Sequence, residues 1–382
     1  MGSLKDVLDD HLGRGQLLGA VALVDRGGRT AVAAAGWSDV GGTSPMTRES
    51  IFRVASLTKP ITAAAVMLLV DDGLLGLEDP VARWLPELES PRVVRAPAGP
   101  VDDVVPAARE ITVHDVLSSR AGYGFPSDFS LPAVQLLFSE LNQGPPQPQQ
   151  VAAPDDWMAA LARIPLLHQP GDAWLYNTCS DIQGVLVARA AGQPFPEFLA
   201  ERLFQPLGMT DTGFHVPAAK LERFTSYYKP GPDGVELVDA PDGEWSTPPA
   251  FPSGAGGLVS TVDDLLLFAR MLLADGAAAG GRQLLSSESV RQMMTDQLTP
   301  AQRIAGALFL EGQGWGFGGS VDVARVDPWN MPGRYGWIGG TGTAAHVLPA
   351  KKAVTILMSQ VELTSPSAPP LMRDFWASCA SV

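Results

Sequence analysis

Cysteine, histidine and basic residues are all scarce in this chain of 382 residues, and each shortage excludes a class of protein. Two cysteines cannot build the disulfide framework that holds small secreted domains together. The five histidines are scattered without the spacing of metal ligands, so we expect no metal site. Because 27 basic residues stand against 41 acidic ones, the net charge is −14, and we expect neither nucleic acid nor an anionic membrane as a partner.

Several familiar sequence signatures are missing as well. No apolar run is long enough to span a bilayer without interruption. The first residues place Leu4, Val7 and Leu8 at helical spacing among charges, unlike a secretory leader, so we expect a cytoplasmic protein. There is no phosphate-binding P-loop and no dinucleotide fingerprint, so no cofactor is expected. The G-x-S-x-G motif of α/β-hydrolases is also absent.

The chain does contain enough apolar sequence for a large core. Hydrophobic residues make up 46% of it and charged residues only 18%. Strand-like runs occur near both ends, whereas residues 112–216 have mostly helical patterns. We therefore predict an α+β fold, with a sheet domain formed by residues 1–90 and 250–382. A mostly helical domain, residues 91–249, is inserted between them, and a cleft between the two domains is the expected place for a ligand.

The main chemical signal is the pair Ser56 and Lys59, at the start of an apolar run that predicts a buried helix. Residues three apart share a helix face, so the hydroxyl and the amine can meet beside the free N–H groups of the helix start. This arrangement suits a nucleophile whose product is an oxyanion. Spacing alone leaves a simpler interpretation open, in which Ser56 caps the helix and Lys59 is a solvated charge. Ser226 and Lys229 have the same spacing, but Pro230, Gly231 and Pro232 follow at once, so no helix carries that pair.

A serine nucleophile near neutral pH needs a base and an oxyanion site. An ordinary lysine is almost entirely protonated at pH 7, so a second proton carrier would help, and Tyr176 is the candidate. A tyrosine that only packs against its neighbours is the alternative. The glycine-rich stretch 336–343 interrupts a predicted strand, which is expected where a substrate carbonyl approaches the backbone. A β-bulge is the alternative interpretation there.

Five motifs in one order make the chain similar to the serine β-lactamase/penicillin-binding-protein superfamily, and most similar to the family VIII carboxylesterases within it. The resemblance covers nearly the whole chain. The motifs are Ser56-Leu57-Thr58-Lys59-Pro60-Ile61-Thr62, the stretch 170–176 with Asp181 and Gly184, the stretches 207–212 and 256–261, and Trp337-Ile338-Gly339.

The resemblance implies a β-lactamase/transpeptidase-like fold, in which an antiparallel sheet from both chain termini is flanked by helices. It also implies roles for single residues. Ser56 would be the acylated nucleophile, and Lys59 and Tyr176 would take its proton and later activate water. The backbone N–H groups of Ser56 and Gly340 would form the oxyanion hole. The residues expected to bind the substrate are Trp337, Ile338, Gly339, Arg120 and Tyr123.

Two departures from the β-lactamase pattern favour a small neutral ester as the substrate. Tyr176 is followed directly by Asn177, whereas β-lactamases have Tyr-x-Asn. Trp337 stands where they carry a lysine that attracts the substrate carboxylate, and Arg334, an odd number of residues away, should point to the other strand face. We therefore expect a serine hydrolase that cleaves esters or transfers acyl groups. A β-lactamase or D-amino-acid peptidase acting on amides, and a non-catalytic penicillin-recognising scaffold, are the alternatives.

Overall fold

Strands from the two ends of the chain form the main sheet, and most of the described helices lie between them in the sequence. The computed structural model describes residues 3–15, 17–144, 147–232 and 234–380. The strands in these residues are β1 (Gly19–Arg26), β2 (Arg29–Gly36), β3 (Phe52–Arg53), β4 (Arg92–Val94), β5 (Val104–Pro106), β6 (Tyr227–Gly231), β7 (Gly234–Asp239), β8 (Val259–Ser260), β9 (Gly314–Trp315), β10 (Ser320–Val321), β11 (Tyr335–Gly339), β12 (Thr343–Leu348) and β13 (Ala353–Ser359). The α-helices are α1 (Leu4–Gly13), α2 (Thr58–Asp71), α3 (Val113–Leu117), α4 (Pro132–Leu141), α5 (Pro154–Leu161), α6 (Thr178–Ala191), α7 (Phe195–Leu199), α8 (Gln205–Leu207), α9 (Val262–Leu273), α10 (Ser287–Met293), α11 (Pro300–Ala305), α12 (Ala307–Leu310) and α13 (Pro370–Ala380).

The main sheet has seven strands in the order β2-β1-β13-β12-β11-β10-β9, and every neighbouring pair is antiparallel. Its first two strands come from the start of the chain and the other five from the end. The predicted α+β architecture, with an antiparallel sheet from both termini, is therefore confirmed. The remaining strands form three separate pairs, β3 with β8, β4 with β5 and β6 with β7.

A tight hairpin joins β1 to β2. Arg26 pairs with Arg29, which leaves only Gly27 and Gly28 in the loop. Both glycines have positive φ, 56° and 82°, which is the backbone of a type I′ turn and is disfavoured for residues with a side chain. This turn matches the right-handed twist of the two strands and sets their register.

Helices α2 and α6 pack against each other at the centre of the molecule. Every residue of α2 from Thr58 to Leu69 is buried, as is every residue of α6 from Thr178 to Val187. A helix that is apolar on all sides is stable in water only when other elements surround it. The predicted buried helix is thus present, but it begins at Thr58, after Ser56. Pro60 fits in its first turn because the N–H that a proline lacks would have no helical partner there.

The described part of residues 91–249 contains six of the helices, α3 to α8, together with the small β4–β5 and β6–β7 pairs. The mostly helical inserted domain itself stays a prediction, and so do its boundaries. Among the described residues, no helix has both the length and the apolar character that crossing a membrane requires. Within the same residues, His, Cys, Asp and Glu side chains form no group of three or more that could hold a metal ion.

Candidate active site

Ser56 lies in a short 3₁₀ turn, Ala55–Leu57, that leads into α2. The preceding residue, Ala55, has a φ of 44°, in the left-handed region that costs a non-glycine residue roughly 1 kcal/mol or more. The turn is held in place because the carbonyl of Val54 accepts hydrogen bonds from the Leu57 N–H (3.1 Å) and from Thr343 Oγ1 (3.0 Å). The serine is half-buried, and its hydroxyl is fixed at the end of the buried helix.

Lys59 is 1% exposed, and its amine reaches three acceptors. Nζ donates to Ser56 Oγ at 2.9 Å, to Asn177 Oδ1 at 2.8 Å and to the carbonyl of Ala255 at 2.7 Å. A lysine ammonium has three N–H donors, so these contacts use all of them. Nζ also lies 4.6 Å from the ring centre of Tyr176. The amine is therefore fixed in position against the serine hydroxyl.

Tyr176 contacts the serine from the other side. Its hydroxyl donates to Ser56 Oγ at 2.8 Å, and it accepts a hydrogen bond of 2.8 Å from the indole N–H of Trp337. The structure thus brings together the serine, lysine and tyrosine named from the sequence. The Trp337–Tyr176 hydrogen bond was not anticipated, because the sequence indicated Trp337 only as a residue that binds the substrate.

Asn177 is a site residue that the sequence analysis noted as a departure but did not place in the site. It has φ 80° and ψ −68°, and the Thr178 N–H donates to the carbonyl of Tyr176 at 3.2 Å. Together these define a γ-turn, a rare and strained backbone form. Asn177 stands at the N-cap of α6, yet its side chain makes no capping bond and accepts from Lys59 instead. Its place directly after Tyr176 was the only sequence signal for this role.

Asp181 is the second residue that the sequence analysis left without a role. This buried carboxylate accepts from Ser253 Oγ (2.6 Å) and from the N–H of Ala255 (3.1 Å) through one oxygen, and from Gln143 Nε2 (3.1 Å) through the other. Burial raises its pKa, while these hydrogen bonds and the charge of Lys59 act in the opposite direction. Asp181 therefore positions the loop whose Ala255 carbonyl accepts from the lysine amine.

A cavity of about 430 Å³ lies over Ser56, and many of the residues that line it are aromatic. Tyr176, Trp337, Ile338 and Gly340 line it beside the serine. No lysine, arginine or histidine is among the described residues that line it. The aromatic residues of the wall, apart from those already named, are Phe125, Phe129, Phe138, Trp157, Tyr227, Trp245, Phe251 and Phe309.

Gly339 was expected to bind the substrate, but it packs against the protein's own backbone. A Cβ at this position would lie 2.4 Å from the carbonyl oxygen of Val54 and 2.2 Å from Thr343 Oγ1. Only a glycine allows β11 to pass this close to the segment that precedes Ser56. The adjacent Gly340 is exposed, and a Cβ there would contact nothing within 4 Å.

Arg120 and Tyr123 were also expected at the substrate, and the structure places both away from the cavity. Arg120 Nε donates to Ser118 Oγ at 2.9 Å, and its Nη2 lies 3.0 Å from Nδ1 of His114. These contacts hold the guanidinium against α3. Tyr123 is 2% exposed and belongs to the core. The direction of a loop side chain depends on tertiary contacts, which the motif spacing did not reveal.

Comparison with known proteins agrees with this geometry. The sequence profile of the Beta-lactamase family matches residues 4–373. The chain belongs to the Beta-lactamase family. Protein Rv1367c of Mycobacterium tuberculosis (strain ATCC 25618 / H37Rv) is 40% identical over 367 residues, which cover 94% of this chain and 88% of that protein. Esterase EstB of Burkholderia gladioli is 34% identical over 333 residues, covering 82% and 78%.

Among solved structures, EstCE1, described as a hydrolase with promiscuous acyltransferase activity, superposes with a TM-score of 0.81. The match covers 98% of this chain and 97% of EstCE1 at 24% identity, so it bears on the fold alone. The resemblance to the β-lactamase and penicillin-binding-protein superfamily is confirmed. This member of the Beta-lactamase family is a serine hydrolase of the β-lactamase fold.

Proposed function

We propose that the protein is a carboxylesterase, which cleaves small neutral esters through an acyl intermediate on Ser56. The observation that carries the proposal is the position of Ser56 Oγ. It lies within hydrogen-bonding distance of both Lys59 Nζ and the Tyr176 hydroxyl, under a cavity whose described lining contains no basic residue. The similarity to Esterase EstB over most of both chains supports the same activity.

In the acylation step, Ser56 Oγ attacks the ester carbonyl and its proton passes to the Lys59–Tyr176 pair. The backbone N–H groups of Ser56 and Gly340, two residues of the cavity lining, stabilise the oxyanion. Collapse of the intermediate breaks the bond to the alcohol, which leaves with the proton that the pair has held. The Trp337 N–H stabilises negative charge on the Tyr176 oxygen while this proton is away.

In the second half of the reaction, water attacks the acyl-serine, and the same pair accepts its proton. The tetrahedral intermediate then releases the carboxylic acid and returns the proton to Ser56 Oγ. An alcohol in the same position yields acyl transfer by the same steps. The described lining of the cavity that serves both reactions contains many aromatic side chains and two carboxylates, Asp181 and Glu362, but no basic residue. A substrate carboxylate in it would therefore have no cationic partner. This favours neutral esters over carboxylated amides and β-lactams.

The test is a panel of p-nitrophenyl esters assayed beside a chromogenic cephalosporin. We expect short-chain esters to be hydrolysed and the cephalosporin to be turned over much more slowly. Ser56→Ala should abolish ester hydrolysis, and a fluorophosphonate adduct should map to Ser56. Ser226→Ala is the matched control, because Ser226 has the same spacing to a lysine but lies next to β6, outside the cavity lining. Equal turnover of the cephalosporin and p-nitrophenyl butyrate, or an adduct on Ser226, would contradict the proposal.

A further inference from the structure

Glu362 places a carboxylate in the wall of the same cavity, close to the proposed oxyanion site. The residue follows β13, and its backbone is held on both sides. The Glu362 N–H donates to the carbonyl of Tyr228 at 2.8 Å, and the N–H of the next residue, Leu363, donates to the carbonyl of Gly340 at 2.7 Å. The segment that carries this carboxylate is therefore anchored to the glycine whose N–H is proposed to bind the oxyanion.

Glu362 has no cationic partner in the part of the chain that the structure describes. The described residues contain no salt bridge to it, and the nearby Arg53, which acts on Tyr227, is committed to a buried ion pair with Asp239. The other carboxylate of the lining, Asp181, has both oxygens occupied by hydrogen bonds within the protein. Glu362 is thus a negative charge at the cavity that the folded chain leaves without a counter-ion.

A buried hydroxyl lies beside this carboxylate. Tyr227 also lines the cavity and is 1% exposed, and its hydroxyl lies next to the Glu362 carboxylate. Burial raises the pKa of Tyr227, and the negative charge of Glu362 and a hydrogen bond between the two side chains raise it further. The phenol and the carboxylate therefore form one polar patch in a wall that is otherwise rich in aromatic rings.

We propose that this part of the cavity recognises a cationic ammonium group carried by the ester, with Glu362 as the residue that selects it. An ammonium group placed there pairs with the carboxylate, and the surrounding aromatic faces also attract cations. A neutral group of the same shape would leave the carboxylate without a charged partner, and an anion would be repelled. The inference rests on the proposed ester hydrolysis, and it extends the substrate class from neutral esters to esters of ammonium-bearing alcohols or acids.

The probes are two pairs of esters that differ only in charge. Butyrylcholine and 3,3-dimethylbutyl butyrate carry the trimethylammonium group or its carbon analogue on the alcohol. The p-nitrophenyl esters of 4-(trimethylammonio)butanoic acid and 5,5-dimethylhexanoic acid carry them on the acyl group. For each pair, the ratio of kcat/KM for the cationic and the neutral member is measured in the wild type and in Glu362→Gln. Because intrinsic reactivity cancels between the two proteins, the change in this ratio reports recognition of the charge alone.

We expect the ratio to fall by about tenfold or more in Glu362→Gln for one pair, which identifies the side of the ester that meets Glu362, while the neutral member keeps its kcat/KM. Glu222→Gln, which removes the same charge from an exposed position outside the cavity lining, should leave both ratios unchanged. Unchanged ratios in Glu362→Gln, or an equal fall in Glu222→Gln, would overturn the proposal. Loss of the preference in Tyr227→Phe with Glu362 intact would overturn it too, since the phenol would then be the recognising group.

Measuring how tightly the esters bind to the Ser56→Ala variant separates this inference from the proposed function. Calorimetry with butyrylcholine and its neutral analogue, and with the acyl-side pair, measures recognition without turnover. A preference for the cationic member that depends on Glu362, in a protein whose wild type hydrolyses none of the esters, would sustain the cation site and refute the esterase. Hydrolysis of the neutral esters without any preference that depends on Glu362 would sustain the esterase and refute the cation site.

Discussion

The indole N–H of Trp337 donates a 2.8 Å hydrogen bond to the hydroxyl oxygen of Tyr176, which in turn donates to Ser56 Oγ. Trp337 therefore does more than replace a lysine by an apolar surface. A lysine at this position would present a charge to the substrate, whereas the tryptophan presents its ring to the cavity and its N–H to the proposed base. We therefore expect this one residue both to disfavour anionic substrates and to support the proton-transfer pair.

Trp337→Phe should lower kcat by about ten- to a hundredfold, because it removes a hydrogen bond to a group that bears charge during the reaction. KM for a short p-nitrophenyl ester should change little, since an aromatic ring still forms the wall. Trp315→Phe is the matched control. Trp315 packs edge-on against Trp337, with 4.8 Å between ring centres, but its own N–H has no partner among the described residues. If both variants lose activity equally, packing and not the N–H explains the effect.

Lys59 and Tyr176 should behave as one proton-transfer unit. Both contact Ser56 Oγ, and the lysine amine lies against the tyrosine ring, so removing either group disables the base. We expect Lys59→Met and Tyr176→Phe each to lower kcat by about three orders of magnitude, and the double variant to be little worse than either single one. Steady-state kinetics of the three variants measures this coupling. Losses that multiply in the double variant would mean that the two residues act independently.

The proposed catalytic residues were predictable because their relation is local or carried by motif order. Ser56 and Lys59 are three residues apart, and the elements on each side have clear strand or helix patterns. The odd separation of Arg334 from Trp337 also predicted its direction correctly, since Arg334 is buried in an ion pair with Asp322, away from the cavity.

The rest of the site depends on tertiary contacts that no spacing encodes. Arg120 is held by Ser118 and His114, which its motif does not indicate. The γ-turn at Asn177 is a strained form that only the surrounding packing maintains. Glu362 follows the last strand without any motif, so its approach to Gly340 could not be anticipated.

Asn177 offers a way to separate backbone strain from chemistry. Asn177→Gly suits the positive φ but deletes the oxygen that accepts from Lys59, so it should fold normally and lose about tenfold or more in kcat. Asn177→Ala deletes the same oxygen but, unlike the glycine variant, keeps a Cβ in the γ-turn. It should have a similar kcat but be less stable than the glycine variant by about 1–3 kcal/mol. Steady-state kinetics of the two variants checks the expected kcat, and urea unfolding checks their stabilities. Equal stability of Asn177→Gly and Asn177→Ala would show that the backbone of the turn relaxes.

The stability of the fold should depend on His346 below neutral pH. This histidine is buried in β12 and packs edge-on against Trp376, with 5.2 Å between ring centres. Burial, reinforced by the charge of Arg334, lowers its pKa well below the ordinary value of 6.5. Above that value the ring is neutral in the folded and unfolded chains, so its contribution to stability is fully present. As the pH falls below it, only the unfolded chain binds the proton, and the contribution is lost towards the folded-state pKa.

The comparison of the wild type with His346→Phe isolates this effect, because all other titrating groups are shared. The difference between their free energies of unfolding should be constant from pH 8 to 7. Between pH 6 and 5 the wild type should lose up to about 1.4 kcal/mol per pH unit relative to the variant. Urea unfolding at each pH measures it. Curves that stay parallel down to pH 5 would show that His346 is protonated in the folded protein.

Asp181 should act on catalysis through the Ala255 carbonyl and not through the substrate. In the wild type, Gln143 Nε2 donates to a carboxylate oxygen of Asp181. Asp181→Asn keeps the shape of the side chain, but it places an NH₂ donor opposite this Gln143 donor. The loop that carries Ala255 should shift, and Lys59 should lose its fixed position against Ser56. We expect kcat and the rate of inactivation by a fluorophosphonate to fall together, by about tenfold, with KM little changed.

Asp264 provides the matched control for this last prediction. It is also a buried aspartate whose pKa is raised by burial, and it also holds a loop, accepting from the Asp211 N–H (2.8 Å) and from Thr212 Oγ1 (2.7 Å). Neither it nor its partners line the cavity over Ser56. We expect Asp264→Asn and Asp181→Asn each to destabilise the fold by about 1–3 kcal/mol. Asp264→Asn should, however, leave kcat and fluorophosphonate inactivation of the folded enzyme unchanged. If the two variants lose activity in proportion to stability, Asp181 is only structural. A selective loss in Asp181→Asn identifies it as the residue that positions the lysine.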